Sequence, residues 1–535
     1  MLSSVLRRFG LALGLLLLII FKFWLVHTED IYGSATEHDA LWYLGAAKNW
    51  YWGSPYGWKA FARPPAYPLF IALVHLCAIP LRVAIELLQI GAYLGLVAAF
   101  RKAGVSRPVC LLAFFVMVVH PGSFLFNNHT MSDSFYAGVL PLALGGLLLT
   151  LFTRKTGHAV WTGVTLGILW NTREESILIP AMLAVFFGIA VFRHRSELGS
   201  WKASVRLWLK PAVAMLAPLA FLVLAVDGAN YRVFRSFSKS ELTASSFQAA
   251  YKALLRIRPS RQQRFVSVST EALETAYTVS PAFARLKEQF EGDLGHNWQV
   301  PAFDSLGIHE IGAPWFLWAL RSVAATSGDI HDSAANADRF YRDAASEINR
   351  ACDEGRVPTR LVISTFLDPG ALASLQYLPE SFPRIAGLFA QQYERTADRD
   401  DAILTPSQRA LYDEMTHRRV RSDRTKRRSE VLEDFINRYH RKFVRGMSIV
   451  GCAALLIIAW RWRRLRLRGP LNAVLVLLAG AILLRVTLFS YLDATWWIGG
   501  YERYLFPVMP LYSCFLVLLV YQAVTVWRKR TLAAA

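Results

Sequence analysis

The residues best suited to chemistry stand in one polar, aromatic segment, residues 36–68, which follows the first apolar stretch of the chain. It contains Glu37 and Asp39, then a run of Trp and Tyr, then Arg63 before two prolines. A carboxylate among aromatic rings can act as a general base toward a hydroxyl or an amine, and a guanidinium binds phosphate through two parallel hydrogen bonds. The plainer interpretation is that Asp39 caps a helix and Arg63 reaches the lipid surface.

Further charged residues stand at the ends of other apolar stretches. Asp133 begins one, where it either contacts a cation, a sugar hydroxyl or an arginine, or serves only the helix dipole. Arg173 and Glu174 lie between two closely spaced apolar stretches, where charges usually face a cavity or each other. The two alternatives are a self-contained ion pair and a phosphate-binding Arg173 oriented by Glu174. Arg485 and Arg503, near the C-terminus, raise the same question.

Several common catalytic motifs are missing from the sequence. It has no Gly-rich phosphate loop, nucleophile elbow, zinc-ligand spacing or EF-hand. The five cysteines suggest neither a disulfide framework nor a metal site. A soluble nucleotide-sugar or ATP site is therefore unsupported, and a donor carried by the membrane fits better.

Composition indicates a membrane protein. The 535 residues are 54% hydrophobic, with a mean hydropathy of +0.30 and a net charge of +20. Basic residues that crowd the ends of membrane helices explain this charge better than nucleic acid does, so no nucleic-acid partner is expected. The fold class predicted is mainly α, a polytopic membrane protein of about ten transmembrane helices with an amphipathic first outward loop and a large outward insert.

The apolar stretches and the basic loops predict the topology. Ten spans are expected, at 9–26, 83–100, 108–126, 134–153, 158–172, 175–192, 208–226, 443–460, 472–490 and 504–527. The first is taken as an uncleaved anchor and 66–80 as a half-inserted or surface helix. Lys and Arg then collect on the loops of one face, taken as cytoplasmic. The candidate charges fall on the other face, and a bacterial inner membrane with the site facing the periplasm is expected.

Three domains are predicted from this pattern. They are an N-terminal transmembrane module (1–227, with the first outward loop at 27–82), a soluble, mainly helical insert (228–442) and a C-terminal transmembrane module (443–535). The insert shows helical apolar spacing and is long enough to hold its own core.

In chain order, the motifs resemble a known family. The segments EHDALWYLGAAKNW, RPPAYPLF, TMSDSFYAGVLPLAL, GILWNTREESILIP and YERYLFPVMP together resemble the GT-C glycosyltransferases. The likeness is to the polyprenyl-phosphate-sugar branch, which includes protein O-mannosyltransferases and lipid A aminoarabinose transferases (families 39 and 83). It covers roughly 1–227 and 443–527. Relatives often read Asp-Glu where this chain has Asp39-Ala40, so the choice between Glu37 and Asp39 stays open.

The resemblance implies an inverting transfer of a sugar from a polyprenyl-phosphate donor to a lipid, glycan or protein acceptor. Asp39 or Glu37 would be catalytic, and Arg63, Arg173 and Arg503 would bind the donor phosphate. Substrate-positioning roles fall to the remaining candidates, Asp133, Glu174, Tyr67 and Tyr501. Such enzymes commonly need no metal when the donor carries one phosphate, with a divalent cation as the alternative.

Other functions compete with this one. Intramembrane charges also suit a transporter or lipid flippase, although a transport site is expected near the bilayer midplane. A receptor or scaffold that uses the insert for binding is a further class. A polymerase or ligase that uses a lipid diphosphate is the alternative among transferases.

Overall fold

The structure is a computed structural model that describes residues 2–27, 29–32, 37–54, 56–57, 60–367, 369–391, 404–418, 423–460 and 469–534. Within these ranges the side chains of 2–8, 37–38, 196–198, 369, 423–430, 432–433, 460 and 529–534 are not described. The described residues are mainly helical. They contain no strand, and one isolated bridge joins Ile257 to Thr359.

The N-terminal part consists of ten helices. They are α1 (Leu2–Val26), α2 (Glu37–Lys48), α3 (Ala66–Leu76), α4 (Leu81–Lys102), α5 (Arg107–Val118), α6 (Gly122–Leu125), α7 (Ser132–Thr153), α8 (Thr156–Trp170), α9 (Leu178–Leu198) and α10 (Trp201–Phe234). Short 3₁₀ turns at Phe126–Asn128 and Glu174–Ile177 precede α7 and α9.

The middle of the chain forms shorter helices. They are α11 (Ser245–Arg256), α12 (Thr270–Val279), α13 (Pro281–Ala284), α14 (Lys287–Glu291), α15 (Asp293–Leu306), α16 (Ala313–Thr326), α17 (Ala334–Asp353), α18 (Pro369–Ser374), α19 (Leu378–Gly387) and α20 (Pro406–Thr416). The C-terminal part follows with α21 (Asp423–Trp460), α22 (Pro470–Thr495), α23 (Tyr501–Leu505) and α24 (Met509–Ala534). Further 3₁₀ turns lie at Glu241–Thr243, Leu375–Tyr377, Leu388–Ala390 and Phe506–Val508.

The chain is a polytopic membrane protein. Eight helical stretches among the described residues are long and apolar enough to cross a bilayer: Phe9–Val26, Leu81–Lys102, Ser132–Thr153, Glu174–Arg195, Trp201–Phe234, Asp434–Ala459, Pro470–Thr495 and Tyr501–Arg528. The pair α5 and α6, bent by 42°, gives a ninth if it is one span. The tenth predicted span is α8, whose 15 residues fall short of the roughly 20 that a crossing takes.

The spans differ in how deeply they are buried. In α7, 83% of the most apolar window is buried by the protein, against 11% in α10 and 17% in α1. We conclude that α7 is the central helix and that α1 and α10 present apolar side chains to lipid. α3 has 11 residues, about 16 Å of helix, which agrees with the prediction that it does not cross.

The first outward loop, predicted to be amphipathic, buries several of its aromatic rings inside the protein. Trp42, Tyr43 and Tyr51 are buried within the protein, whereas Trp50 is half exposed. Its rings therefore mostly pack against other helices rather than against lipid headgroups. The loop contributes to the core instead of lying beside it.

Two large hydrophobic cores are present among the described residues. The larger joins the membrane helices with α2, α3 and parts of α18–α20, and the smaller lies between 242 and 362. Two half-buried aromatics, Tyr56 and Trp318, pack against both cores. The middle of the chain is mainly helical, as predicted, and the domain boundaries at 227/228 and 442/443 stay a prediction.

Candidate active site

Asp39 and Arg63 form an ion pair. Asp39 is the third residue of α2, so its side chain is free for a tertiary contact rather than capping the helix. Its Oδ1 lies 2.8 Å from Arg63 Nη2. The Arg63 backbone carbonyl accepts a hydrogen bond of 2.6 Å from the Tyr51 hydroxyl. Asp39, a predicted base, and Arg63, a predicted phosphate ligand, therefore contact each other directly.

This pairing stabilises the charged forms of both groups. Burial opposes ionisation of Asp39, but the positive charge of Arg63, and then of Arg503 and Arg173, outweighs it and lowers the pKa of Asp39. Burial likewise disfavours the Arg63 cation, yet Asp39 more than compensates and raises the pKa of Arg63. Asp39 is thus a carboxylate at neutral pH.

A second group of ion pairs surrounds Asp133 at the start of α7. Asp133 Oδ1 lies 2.8 Å from Arg173 Nη1, and its Oδ2 lies 3.7 Å from Arg503 Nε. The carboxylate is fully buried, and among the described residues its contacts with these two arginines are ion pairs. Arg503 Nη2 also donates to the Tyr504 hydroxyl at 2.8 Å. Asp133 therefore joins two of the three predicted phosphate-binding arginines.

The acid that orients Arg173 is Glu175, where the sequence favoured Glu174. Arg173 Nε and Nη2 donate to Glu175 Oε1 at 3.1 and 2.9 Å. The other oxygen of Glu175 lies 2.9 Å from Nη2 of the buried Arg485. Glu174 is exposed, because the 3₁₀ turn at Glu174–Ile177 directs the next residue inward instead.

Ser132 links the two groups of ion pairs. Its hydroxyl accepts from Arg173 Nη1 at 3.0 Å and from the Tyr43 hydroxyl at 3.1 Å. The Tyr43 ring lies 5.8 Å from the Arg63 guanidinium. The Ala66 N–H also donates to the Asn171 carbonyl at 3.0 Å, which holds the loops of Arg63 and Arg173 side by side. Ser132 stands next to Asp133 in the sequence, and this position is the one signal in the sequence that could have indicated its role.

Two predicted tyrosines have different surroundings. Tyr67 is fully buried, packs edge-on against Tyr43 at 5.0 Å, and its hydroxyl has no hydrogen-bond partner among the described residues. Tyr501 accepts a hydrogen bond from the Ile498 N–H at 3.1 Å. Tyr67 therefore borders the site, and Tyr501 closes the loop that leads to Arg503. The side chain of Glu37, the first residue of α2, lies outside the described part of the chain.

These contacts define one cluster, called the arginine cluster below. It contains four arginines and three carboxylates: Arg63, Arg173, Arg485, Arg503, Asp39, Asp133 and Glu175. One positive charge is in excess. Three candidate membrane spans begin here, at Ser132, Glu174 and Tyr501, and the N-terminal end of the long helix α7 favours anions. The cluster is therefore suited to an anionic group such as a phosphate.

The segment Asn128-His129-Thr130 matches the sequence pattern for N-glycosylation, but the asparagine side chain is not accessible. Asn128 is buried, donates to the Phe124 carbonyl at 2.8 Å and accepts from Arg82 Nε at 2.7 Å. The match to a glycosylation signal is therefore a chance one.

Among the described side chains, no three His, Cys, Asp or Glu are grouped to hold a metal ion. The cofactor requirement stays a prediction.

Comparison with known proteins adds little. No family model and no curated protein matches the sequence. Among solved structures, the chain matches the crystal structure of ArnT from Cupriavidus metallidurans bound to undecaprenyl phosphate, with 15% identity and a TM-score of 0.32. The match covers 96% of this chain and 77% of that one. Agreement this low assigns neither a family nor a ligand to this chain.

Proposed function

We propose that this protein is an integral membrane glycosyltransferase that moves a sugar from a polyprenyl-phosphate donor to an acceptor at the extracytoplasmic face. The observation that carries the proposal is the 2.8 Å pair of Asp39 and Arg63 within the arginine cluster. In this pair a carboxylate lies beside a group of arginines that carries one excess positive charge, at the ends of membrane helices. The order of the sequence motifs, which resembles the GT-C pattern, supports the same assignment.

In the proposed reaction the donor phosphate binds Arg63 and replaces Asp39 as its ion-pair partner. Phosphate offers two oxygens to a guanidinium and competes well with a carboxylate. Asp39 then loses the partner that lowers its pKa and becomes a stronger base. The base is therefore activated only when the donor is bound, which limits proton loss from an acceptor in an empty site.

The transfer itself is an inverting displacement. The acceptor oxygen or nitrogen attacks the anomeric carbon and gives its proton to the Asp39 carboxylate. The bond between the anomeric carbon and the phosphate oxygen breaks, and its electron pair stays on the lipid phosphate. Arg63, Arg173 and Arg503 balance that charge, an electrostatic contribution often worth about 3 kcal/mol. Asp133, Glu175 and Ser132 hold Arg173 in place for this role.

A donor panel tests the proposal. Purified protein in lipid is given radiolabelled polyprenyl-phosphate sugars, with Asp39→Asn and Arg63→Ala beside the wild type. We expect the wild type to consume one donor, Asp39→Asn to bind that donor without turnover, and Arg63→Ala to lose donor binding. Asp304→Asn, a change at an exposed acid of α15, is the matched control. A wild type that neither binds nor consumes any such donor would count against the proposal and favour a lipid diphosphate or transport.

A further inference from the structure

Arg63 is held from outside the membrane module. Its guanidinium carbon lies 4.5 Å from the centre of the Trp318 ring, which belongs to α16 in the predicted insert. Trp318 is half-buried and packs against both hydrophobic cores. A guanidinium stacked on an indole face keeps its N–H groups directed outward at its edge, where Asp39 is bound. The insert thus contributes a side chain to the immediate surroundings of the predicted phosphate ligand.

The backbone that leads to Arg63 is held by the same helix. Arg321, one turn after Trp318 and almost fully buried, donates to the Ala60 carbonyl at 2.8 Å. Its Nε pairs with Glu241 at 2.6 Å, and the Glu241 N–H donates to the Phe61 carbonyl at 2.8 Å. Two successive carbonyls before Arg63 are therefore bound by residues of the insert.

The conformation of Phe61 needs this support. Its φ is +60°, a left-handed value that is unfavourable for a bulky side chain. Such a conformation persists where its surroundings over-determine it. The Glu241 N–H and the stacked Phe234 ring, 4.9 Å from the Phe61 ring, provide that support.

We infer that α16 positions Arg63 through Trp318 and Arg321, so that the insert completes the donor-phosphate site in addition to any contact with the acceptor. The role assigned to the donor rests on the function proposed above. Trp318 and Arg321 are positioning residues, because each acts through Arg63 or its backbone. Without them, Arg63 is free to rotate away from Asp39 and from a bound phosphate.

The first test does not depend on any donor. Phenylglyoxal modifies accessible arginines, and mass spectrometry of the Arg63 peptide gives the rate. We expect Trp318→Ala to raise the rate at Arg63 on the order of three- to tenfold over the wild type. Trp318→Phe, which keeps a ring face, should stay close to the wild type. Leu317→Ala, on the same helix and packed against the insert core, is the control for general loosening.

The second test measures the donor. With the donor identified by the panel, Trp318→Ala should raise KM about threefold or more while kcat changes little, and Trp318→Phe should restore KM. Equal modification rates at Arg63 in the wild type, Trp318→Ala and Leu317→Ala would overturn the inference. If the wild type uses no polyprenyl-phosphate donor but Trp318→Ala still exposes Arg63, the positioning stands and only the proposed function fails.

Discussion

At the scale of single residues, the arginine cluster depends on carboxylates that neutralise it. Asp133 is buried and Glu175 is mostly buried, and each bridges two arginines, whereas Asp39 forms an ion pair only with Arg63 among the described residues and its side chain is one-third exposed. A buried carboxylate between two guanidiniums cannot leave without exposing uncompensated charge. Asp133 and Glu175 are therefore structural members of the site, and Asp39 is the acid that a substrate can reach.

The two neighbouring glutamates should behave differently when neutralised. Glu175→Gln leaves Arg173 and Arg485 without their shared carboxylate, and removing one partner of a buried pair costs about 3 kcal/mol. We expect the apparent melting temperature in detergent to fall by roughly 5 °C. Glu174→Gln should leave it unchanged, because Glu174 is exposed. Equal effects of the two variants would contradict the assignment of Glu175.

His331 predicts a pH-dependent stability. It faces Glu241, Tyr56, Tyr341 and Arg321. Burial, together with the positive charge of Arg321, lowers the pKa of His331 to about 4, although the negative charge of Glu241 opposes this shift. The unfolded chain, with a pKa near 6.5, binds more protons between these values, so stability falls as pH drops from about 6.5 to about 4. The full effect is about 3 kcal/mol.

The measurement for His331 is the melting temperature at pH 7, 5.5 and 4 for the wild type and His331→Gln. Other acids titrate in both proteins, so only the difference between the two curves reports on this residue. We expect the wild type to lose stability faster than the variant as the pH falls. Curves that stay parallel would show that His331 does not titrate in this way.

At the scale of helices, α8 packs closely against α10, most tightly at Gly163. A Cβ at Gly163 would lie 2.0 Å from the Met215 carbonyl oxygen and 2.5 Å from Pro218 of α10. Small residues let membrane helices approach this closely. Because α8 leads directly into the Asn171–Arg173 turn, its distance from α10 helps to set where Arg173 lies.

Two alanine substitutions on α8 test this packing. Gly163→Ala should destabilise the protein by about 1–3 kcal/mol through overpacking. Gly157→Ala meets no atom within 4 Å and should be neutral or stabilising by up to about 1 kcal/mol, since Ala is the better helix former. Thermal unfolding in detergent measures both. A neutral Gly163→Ala would mean that α8 and α10 pack less closely.

At the scale of the whole molecule, the predicted topology places the insert and the arginine cluster outside. Cys77 and Cys452 are exposed and are replaced by Ser for the test. Single cysteines then replace Lys102, at the end of α4, and Lys252, in α11, both exposed. A membrane-impermeant thiol reagent on intact cells should label Lys252→Cys, and Lys102→Cys only after permeabilisation. The reverse pattern would invert the topology.

The sequence by itself determined the number and order of the helices to a large extent. Each of the ten predicted spans corresponds to a helix or a bent helix pair, because runs of apolar residues of this length are strongly helical in lipid. It also indicated Asp39, Arg63, Asp133, Arg173 and Arg503, since charges at helix ends in a membrane need partners. For α8 and for the bent pair of α5 and α6, the length of the helices leaves open whether they cross the membrane.

Tertiary structure alone decided which charges meet. Glu175 rather than Glu174 orients Arg173, because one 3₁₀ turn sets which side chain faces inward. Ser132 joins the two groups of ion pairs, and Trp318 reaches Arg63 from 255 positions further along the chain. Local sequence fixes helices through nearby hydrogen bonds and hydrophobicity, whereas a contact between distant residues depends on how whole helices pack.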